Sequence, residues 1–200
     1  MRIAVIGAGN VGGGLGKAFA DVGHEVVFGV RDPDSTKTLA ALAGIPSAIA
    51  ASPSEAVDGA DVIVFAVRPV AIPATVAELP PLDGRIVIDA MNRLDGDPLR
   101  STTQDLLELL PGARVVKAFN TTGYENLTTA RDRATPVAMF VAGDDADAKR
   151  VAMGLATEIG FEAEDAGGLV NAKPLEEMVR VWIALTQRHG RTIGFALSRS

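Results

Sequence analysis

Short apolar runs, each followed by a longer stretch compatible with a helix, recur along this chain. The runs are Ile3–Ile6, Val26–Val30, Val62–Val67, Ile86–Ile88, Val115–Phe119 and Val137–Val141. Each is rich in Val, Ile or Phe and is bounded by Gly, Asp, Pro, Asn or a charged residue. Unbroken apolar runs of that length predict strands buried on both faces of a parallel sheet. Between them, Leu15–Val22, Pro53–Val57 and Gln104–Leu110 fit crossover helices. The alternation predicts an α/β fold with a doubly wound parallel sheet. Beyond the sixth run, an acid-started helix spans about Ala146 to Ile159, capped by Asp144 or Asp145 and stopped by Gly160. "FEAEDAG" then reads as a short edge strand and turn. A last helix runs through "NAKPLEEMVRVWIALTQRHG", with Leu175, Met178, Val179, Trp182 and Leu185 as its apolar stripe. Residues 1–165 are expected to form the sheet domain, and residues 166–200 a short helical segment acting as a lid or a dimer contact.

Composition removes several kinds of chemistry. The chain has no cysteine, which excludes disulfides, thiolate catalysis and Cys-ligated metals, and its two histidines, His24 and His189, cannot make a His-rich metal site. Its formal charge of −6 argues against nucleic acid or a membrane surface as partner, since both want a basic face. An anionic ligand must therefore be held by local donors. No apolar run reaches the roughly 18 residues of a membrane span. Glycine interrupts the opening apolar run where a signal peptide would continue. A cytoplasmic location is expected.

The opening "RIAVIGAGNVGGGLG" carries the first positive chemistry. Gly7, Gly9 and Gly12 match G-x-G-x-x-G between a strand and a helix, the setting in which that motif binds a dinucleotide. The first glycine permits the turn, the second lets a pyrophosphate approach the backbone, and the third brings helix and strand together. The phosphates would rest on the N–H groups of the helix start. This makes the domain Rossmann-type. Gly13, Gly14 and Gly16 exceed the motif and imply close packing against a neighbouring backbone or a bulky cofactor. The end of the second strand, "FGVRDPDSTK", should select the nucleotide. Arg31 over the ribose favours the 2′-phosphate of NADP, whereas Asp32, one register step on, would favour NAD. Lys37 either assists or is a solvated helix residue.

Several stretches together carry a resemblance: "AVIGAGNVG", "GHEVVFGVRD", "DVIVFAV", "VVKAFNTTG", "FVAGDDADAK" and "DAGGL", in that order from residue 4 to residue 169. They resemble the NADPH-dependent coenzyme F420 reductases (F420H2:NADP oxidoreductases), a family related to the oxidoreductase domains of the STEAP metalloreductases. The resemblance implies an NADP(H)-binding Rossmann domain and a deazaflavin, coenzyme F420, as co-substrate. It implies hydride transfer between the two rings in a cleft roofed by the C-terminal segment. It places Ala8, Gly9, Asn10 and Val11 around the pyrophosphate and Arg31 on the 2′-phosphate. Val67 would lie against the nicotinamide, with Asn120, Thr121 and Thr122 near the carboxamide and the hydride path. The chain departs from the family pattern at Val30, where a Ser or Asn is frequent, and at Arg68-Pro69, where Pro-Trp is frequent. The second departure alters the cleft wall and leaves FMN or FAD as an alternative acceptor.

Hydride transfer between two cofactors asks for aligned rings and little acid–base work. The chain accordingly shows no Ser-His-Asp set and no paired carboxylates, and no catalytic side chain is assigned. Lys117, inside an apolar run, either reaches the cleft to hold an anion or pairs with an acid such as Asp89. Asn92 follows a strand at the edge where ligands bind and is a candidate cofactor contact, or else a turn former. Arg68 and Arg93 also follow strands and would make a basic rim for an anionic deazaflavin tail. His24 reads as structural, and His189 suits the end of its helix. A non-catalytic NADPH sensor is the reading from another class. An imine or hydroxy-acid reductase is a further option, although too few residues follow the Rossmann portion for the usual helical second domain. A homodimer is expected, because the last helix needs covering.

Overall fold

The computed structural model describes residues 1–45 and 47–199, and of Lys37 only the backbone. Among the described residues, β1 (Arg2–Ile6), β2 (Glu25–Gly29), β3 (Ile49–Ala51), β4 (Val62–Phe65), β5 (Ile86–Asp89), β6 (Arg114–Lys117), β7 (Ala138–Gly143) and β8 (Glu162–Asp165) form one sheet. Their order is β3-β2-β1-β4-β5-β6-β7-β8. The order in which strands are added reverses between β1 and β4, which pair in parallel from Ile3↔Val62 to Ile6↔Phe65. Ligands of doubly wound sheets bind at the carboxyl edge of such a reversal.

The helices are α1 (Asn10–Asp21), α2 (Thr36–Leu42), α3 (Pro53–Val57), α4 (Ile72–Val76), α5 (Thr102–Leu109), α6 (Ala146–Glu158) and α7 (Ala172–His189). Both α3 and α5 start on capping boxes, Ser52 with Glu55 and Ser101 with Gln104. Asp145 caps α6 by accepting from Ala148 N at 2.7 Å, while Asp144 instead accepts from Leu169 N. Leu15, Phe19, Phe28, Phe119 and Met139 fill one face of the sheet under α1 and α6. On the other face, Ile6, Phe65, Ile72 and Leu106 pack under α3, α4 and α5.

The structure departs from the sequence expectations in several places. Helix α1 begins at Asn10, five residues before the expected Leu15, because the glycines lie inside it. Strand β3, Ile-Ala-Ala, has three residues, none of them fully buried, and lacks the run rich in Val, Ile or Phe that marks the six expected strands. And β7 runs antiparallel to β6, through Val116↔Gly143 and Lys117↔Ala142. No long helix joins these two strands. Phe119 takes a left-handed φ of 60°, and the chain returns through short 3-10 turns at Tyr124–Asn126 and Ala130–Asp132. An antiparallel return needs no crossover, whereas a parallel one does.

Helix α7 lies across the carboxyl edge of the sheet. Leu175, Val179 and Trp182 are buried, but Met178 is only half-buried and Leu185 is 39% exposed, so the apolar stripe is narrower than expected. The segment after α7 folds back over it. The Ile193 carbonyl accepts from Trp182 Nε1 and Asn126 Nδ2, both at 2.8 Å, and Phe195 O accepts from Ala138 N on β7. Arg191 pairs with Glu125 and stacks over the rings of Tyr124 and Trp182.

A buried charge cluster joins α7 to the sheet. Lys117 Nζ on β6 lies 3.1 Å from Asp89 Oδ2 on β5 and 2.7 Å from Glu176 Oε1 on α7, and all three side chains are fully buried. The ammonium also donates to the Met91 carbonyl at 2.6 Å and Thr102 Oγ1 at 2.9 Å. Thr102, Thr103 and the Met91 N–H complete Asp89, while the Thr102 and Arg93 N–H groups complete Glu176. This settles the two readings of Lys117 in favour of pairing with Asp89, and adds a second acid. Removing one member of a buried pair costs about 3–5 kcal/mol, because the partner charge is left unpaired. Lys117→Met strands two carboxylates and should lower stability by about that amount in urea titration; Glu176→Gln, which leaves a matched pair, should cost less.

The extra glycines of α1 divide by surroundings. A Cβ on Gly16 would run into the ring of Phe28, and one on Gly14 would stand 3.1 Å from Leu127 Cδ1, whereas nothing lies within 4 Å of one on Gly13. Overpacking a core costs about 1–3 kcal/mol, and an unhindered Gly to Ala change in a helix gains about 0.5–1. Gly16→Ala should therefore lower, and Gly13→Ala raise, the urea midpoint of the ligand-free protein.

Candidate cofactor-binding site

The glycine turn joins β1 to α1 at the reversal of the sheet. Gly7 has φ of 105°, a conformation L side chains rarely adopt, and a Cβ there would stand 2.7 Å from the Ala66 carbonyl. Its N–H is held by the Gly29 carbonyl at 2.9 Å. A Cβ on Gly12 would overlap the Gly7 carbonyl oxygen, so only glycine lets α1 approach the turn this closely. Gly9 is exposed, with open space where a Cβ would be, and serves as the N-cap of α1. No side chain caps α1 and no acid stands in its first turn. The first N–H groups of a helix have no intrahelical acceptor, and here Asn10, Val11 and Gly12 present them beside Ala8 and the open Gly9. The donor set suits a pyrophosphate.

Around this turn the other predicted residues fall along the carboxyl edge. Strand β2 ends at Gly29, and Val30 N continues the ladder to Ala51 O at 2.9 Å. Arg31 and Asp32 follow, both exposed, and the Asp32 carbonyl is held by Thr38 Oγ1 at 2.9 Å. The side chain of Lys37 lies outside the described residues. Val67, just beyond β4, is half-buried, with Cγ1 3.0 Å from where a Gly7 Cβ would sit.

At the ends of β5 and β6, Asn92 and Asn120 clasp one another. Asn92 Nδ2 donates to the Asn120 carbonyl, and Asn120 Nδ2 donates to Asn92 Oδ1, each at 2.9 Å. Asn120 Nδ2 also donates to the Leu175 carbonyl of α7 at 3.0 Å. Because that nitrogen meets two acceptors, the orientation of the amide is fixed. Asn120 Oδ1 and Thr121 Oγ1 are then left buried with no hydrogen-bond partner in the protein. Orphaned buried polar atoms are uncommon in folded proteins and mark places where a ligand or water completes the set. Thr122 Oγ1, by contrast, already accepts from Asn126 Nδ2 at 2.7 Å.

Of the expected basic rim, Arg93 is neutralised and Arg68 is not. Arg93 pairs with Asp105, and Arg100 pairs with both Asp105 and Glu108, whose carboxyl it holds below the usual range. With Pro69, Val70 and Pro73 these residues line a cavity of about 390 Å³ between α4 and α5. Arg68 remains exposed at the start of the 3-10 turn Pro69–Ala71. His24 is structural: its Nε2 lies 2.7 Å from Glu158 Oε2, and its ring packs edge-on to Phe19. His189 is exposed at the end of α7. Among the described residues no group of acids and histidines is placed to hold a metal ion, and no helix is long and apolar enough to cross a membrane.

Sequence reading missed Glu176 and Thr102. Glu176 had a signal, since it shares the helical spacing of Ala172, Val179 and Trp182 and so falls on the buried face. Thr102 had none, because its place depends on how α5 meets α7.

Comparison with known proteins follows the same lines. The family model "NADP oxidoreductase coenzyme F420-dependent" matches residues 2–93. The F420-dependent NADP reductase of Methanothermobacter thermautotrophicus is 32% identical over 211 residues, covering 94% of this chain and 90% of that protein. Metalloreductase STEAP3 of Rattus norvegicus is 29% identical over 180 residues, but the match spans only 36% of its length. Among solved structures, a candidate F420-dependent NADP reductase from Arthrobacter sp. FB24 superposes over the whole of both chains, with a TM-score of 0.89 at 28% identity. A reductive aminase from Aspergillus terreus reaches a TM-score of 0.69 at 18% identity over 60% of its own chain, a likeness of fold alone. At the identity and coverage of the methanogen enzyme, the chain belongs to the coenzyme F420-dependent NADP oxidoreductase family.

Proposed function

We propose that this chain is an NADP(H)-dependent oxidoreductase whose co-substrate is coenzyme F420. The observation that carries the reading is the open, uncapped start of α1 behind Gly7, Gly9 and Gly12, at the sheet edge where Asn120 Oδ1 and Thr121 Oγ1 also lack partners. NADP(H) and the deazaflavin, when bound, supply the chemistry, a hydride passed directly between their rings. The protein's part is to bind and orient. Backbone N–H groups of Ala8, Gly9, Asn10 and Val11 receive the pyrophosphate, and Gly7 and Gly12 shape the turn that presents them. Arg31 pairs with the 2′-phosphate. Val67 backs the nicotinamide, and Asn120 and Thr121 take its carboxamide. Asn92 acts through Asn120, and Thr122 through Asn126. Reduction of the deazaflavin also takes up one proton, and no side chain is assigned to deliver it.

Residues 166–200 form the roof of this site, with α7 as its beam. The outer face of α7 carries Val181 and Leu185, 56% and 39% exposed, and a second copy of this chain is the partner that would cover them. A flavin, FMN or FAD, is the second reading for the acceptor. It is favoured by the Arg68-Pro69 turn, which leaves Val70 79% exposed on the cavity rim.

The decisive experiment is a spectroscopic turnover assay with NADPH, offering oxidised F420 and FMN in parallel and repeating each with NADH. Loss of the deazaflavin absorbance with NADPH preferred is the expected result. FMN reduction alone moves the chain to the flavin reading, and tight NADPH binding without turnover makes it a sensor. Charge-assisted hydrogen bonds contribute about 1.5–3 kcal/mol, which is roughly 10–100-fold in affinity. Arg31→Ala should raise the KM for NADPH by that factor and leave the KM for NADH nearly unchanged.

A further inference from the structure

Lys117 touches no predicted ligand position, yet its contacts converge on Asn120. The Asn120 amide nitrogen is strung between two acceptors, Asn92 Oδ1 and the Leu175 carbonyl. Each acceptor stands one residue from an atom that the buried ion cluster holds. On one side, Lys117 Nζ donates to the carbonyl of Met91, which precedes Asn92, at 2.6 Å. On the other, Lys117 Nζ grips Glu176, which follows Leu175, at 2.7 Å. Glu176 Oε2 then reaches back to the N–H of Arg93, on the far side of Asn92, at 3.1 Å. One ammonium thus fixes both rails from which the Asn120 amide hangs. With Nδ2 committed to both, Oδ1 points where they dictate and is left without a donor.

We infer that Lys117 is a positioning residue for the nicotinamide end of the bound dinucleotide. Through Asp89 on β5 and Glu176 on α7, it holds Asn120 Oδ1 ready to accept from a primary carboxamide. The inference rests on the proposed placing of the nicotinamide at Asn120. It differs from a general scaffolding role in one measurable way. The glycine turn and Arg31, which serve the adenine and phosphate end, share no hydrogen bond with the cluster, so disturbing the cluster should leave that end unaffected.

Two variants separate these roles. Glu176→Gln preserves shape and leaves Lys117 and Asp89 as a matched pair. Lys117→Met combined with Asp89→Asn and Glu176→Gln removes all three charges together, strands none of them, and carries the test if the single variant does not fold. For each, three quantities are compared with the unaltered chain: the Kd of 2′,5′-ADP, the single-turnover rate of hydride transfer from NADPH, and the fluorescence of bound NADPH. A small misplacement of a reacting ring costs roughly tenfold to a hundredfold in rate, whereas distant sites are nearly independent. The expected result is 2′,5′-ADP binding within about twofold, hydride transfer lowered by roughly tenfold or more, and NADPH fluorescence moved toward that of the free cofactor. Unchanged hydride transfer and fluorescence overturn the inference. A loss of 2′,5′-ADP affinity as large as the loss of hydride-transfer rate overturns it as well, because the cluster is then only scaffolding. If the unaltered chain binds 2′,5′-ADP but leaves NADPH fluorescence as in water, the placing of the nicotinamide fails and the positioning role fails with it.

Discussion

A lysine ammonium with no access to water must be surrounded by acceptors, and meeting that demand organises one end of this molecule. Lys117 meets it by drawing Asp89 from the neighbouring strand, Thr102 from the start of α5 and Glu176 from α7 to a single point. Desolvating three charges is costly, and only a complete set of hydrogen bonds offsets it. The set here is complete, with backbone N–H groups of Met91, Thr102 and Arg93 serving the carboxylates. While the cluster is intact, the strand ends, the start of α5 and α7 are therefore held in fixed register. The clasp of Asn92 and Asn120 is one product of that rigidity.

The other end of the site is built by the opposite means, from the absence of side chains. Gly7, Gly9 and Gly12 bring α1 against β1 and leave its first N–H groups open. On a chain of net charge −6, an anion gains nothing from the overall field. Local donors have to supply the attraction, and a helix start is a dense group of them. One ligand long enough to span both ends would meet phosphate donors at β1 and orphaned amide and hydroxyl groups at β6.

Most of the architecture was legible because buried parallel strands write themselves as unbroken Val, Ile and Phe runs. The six internal strands with such runs were readable, and so was the cap of α6, since Asp145 acts through its immediate neighbours. What could not be read depended on tertiary contact. Strand β3 is held by pairing with β2 rather than by its own three residues, and the reversal of β7 turns on the backbone of Phe119. The glycine turn was legible for the same local reason as the cap, whereas Lys117 stood equally for a ligand contact and an internal pair. Deciding between them required Glu176, which lies 59 positions away in the chain. Arg93 failed as a free basic rim because Asp105, on a different element, neutralises it.

The arithmetic of the cluster has a consequence for motion. Two acids share one base, and the supernumerary acid, Glu176, belongs to α7. If α7 lifts away, Glu176 returns to water while Lys117 and Asp89 stay behind as a balanced couple, still supported by Thr103 and the Met91 carbonyl. The sheet can thus part with α7 without being left holding an unmatched charge. Local opening follows the cheapest cooperative unit of a structure, and an element that leaves no unmatched charge behind is favoured as that unit. Amide protons of α7 are thus set to exchange with solvent well ahead of those in β1 and β4, in an opening that leaves the sheet whole.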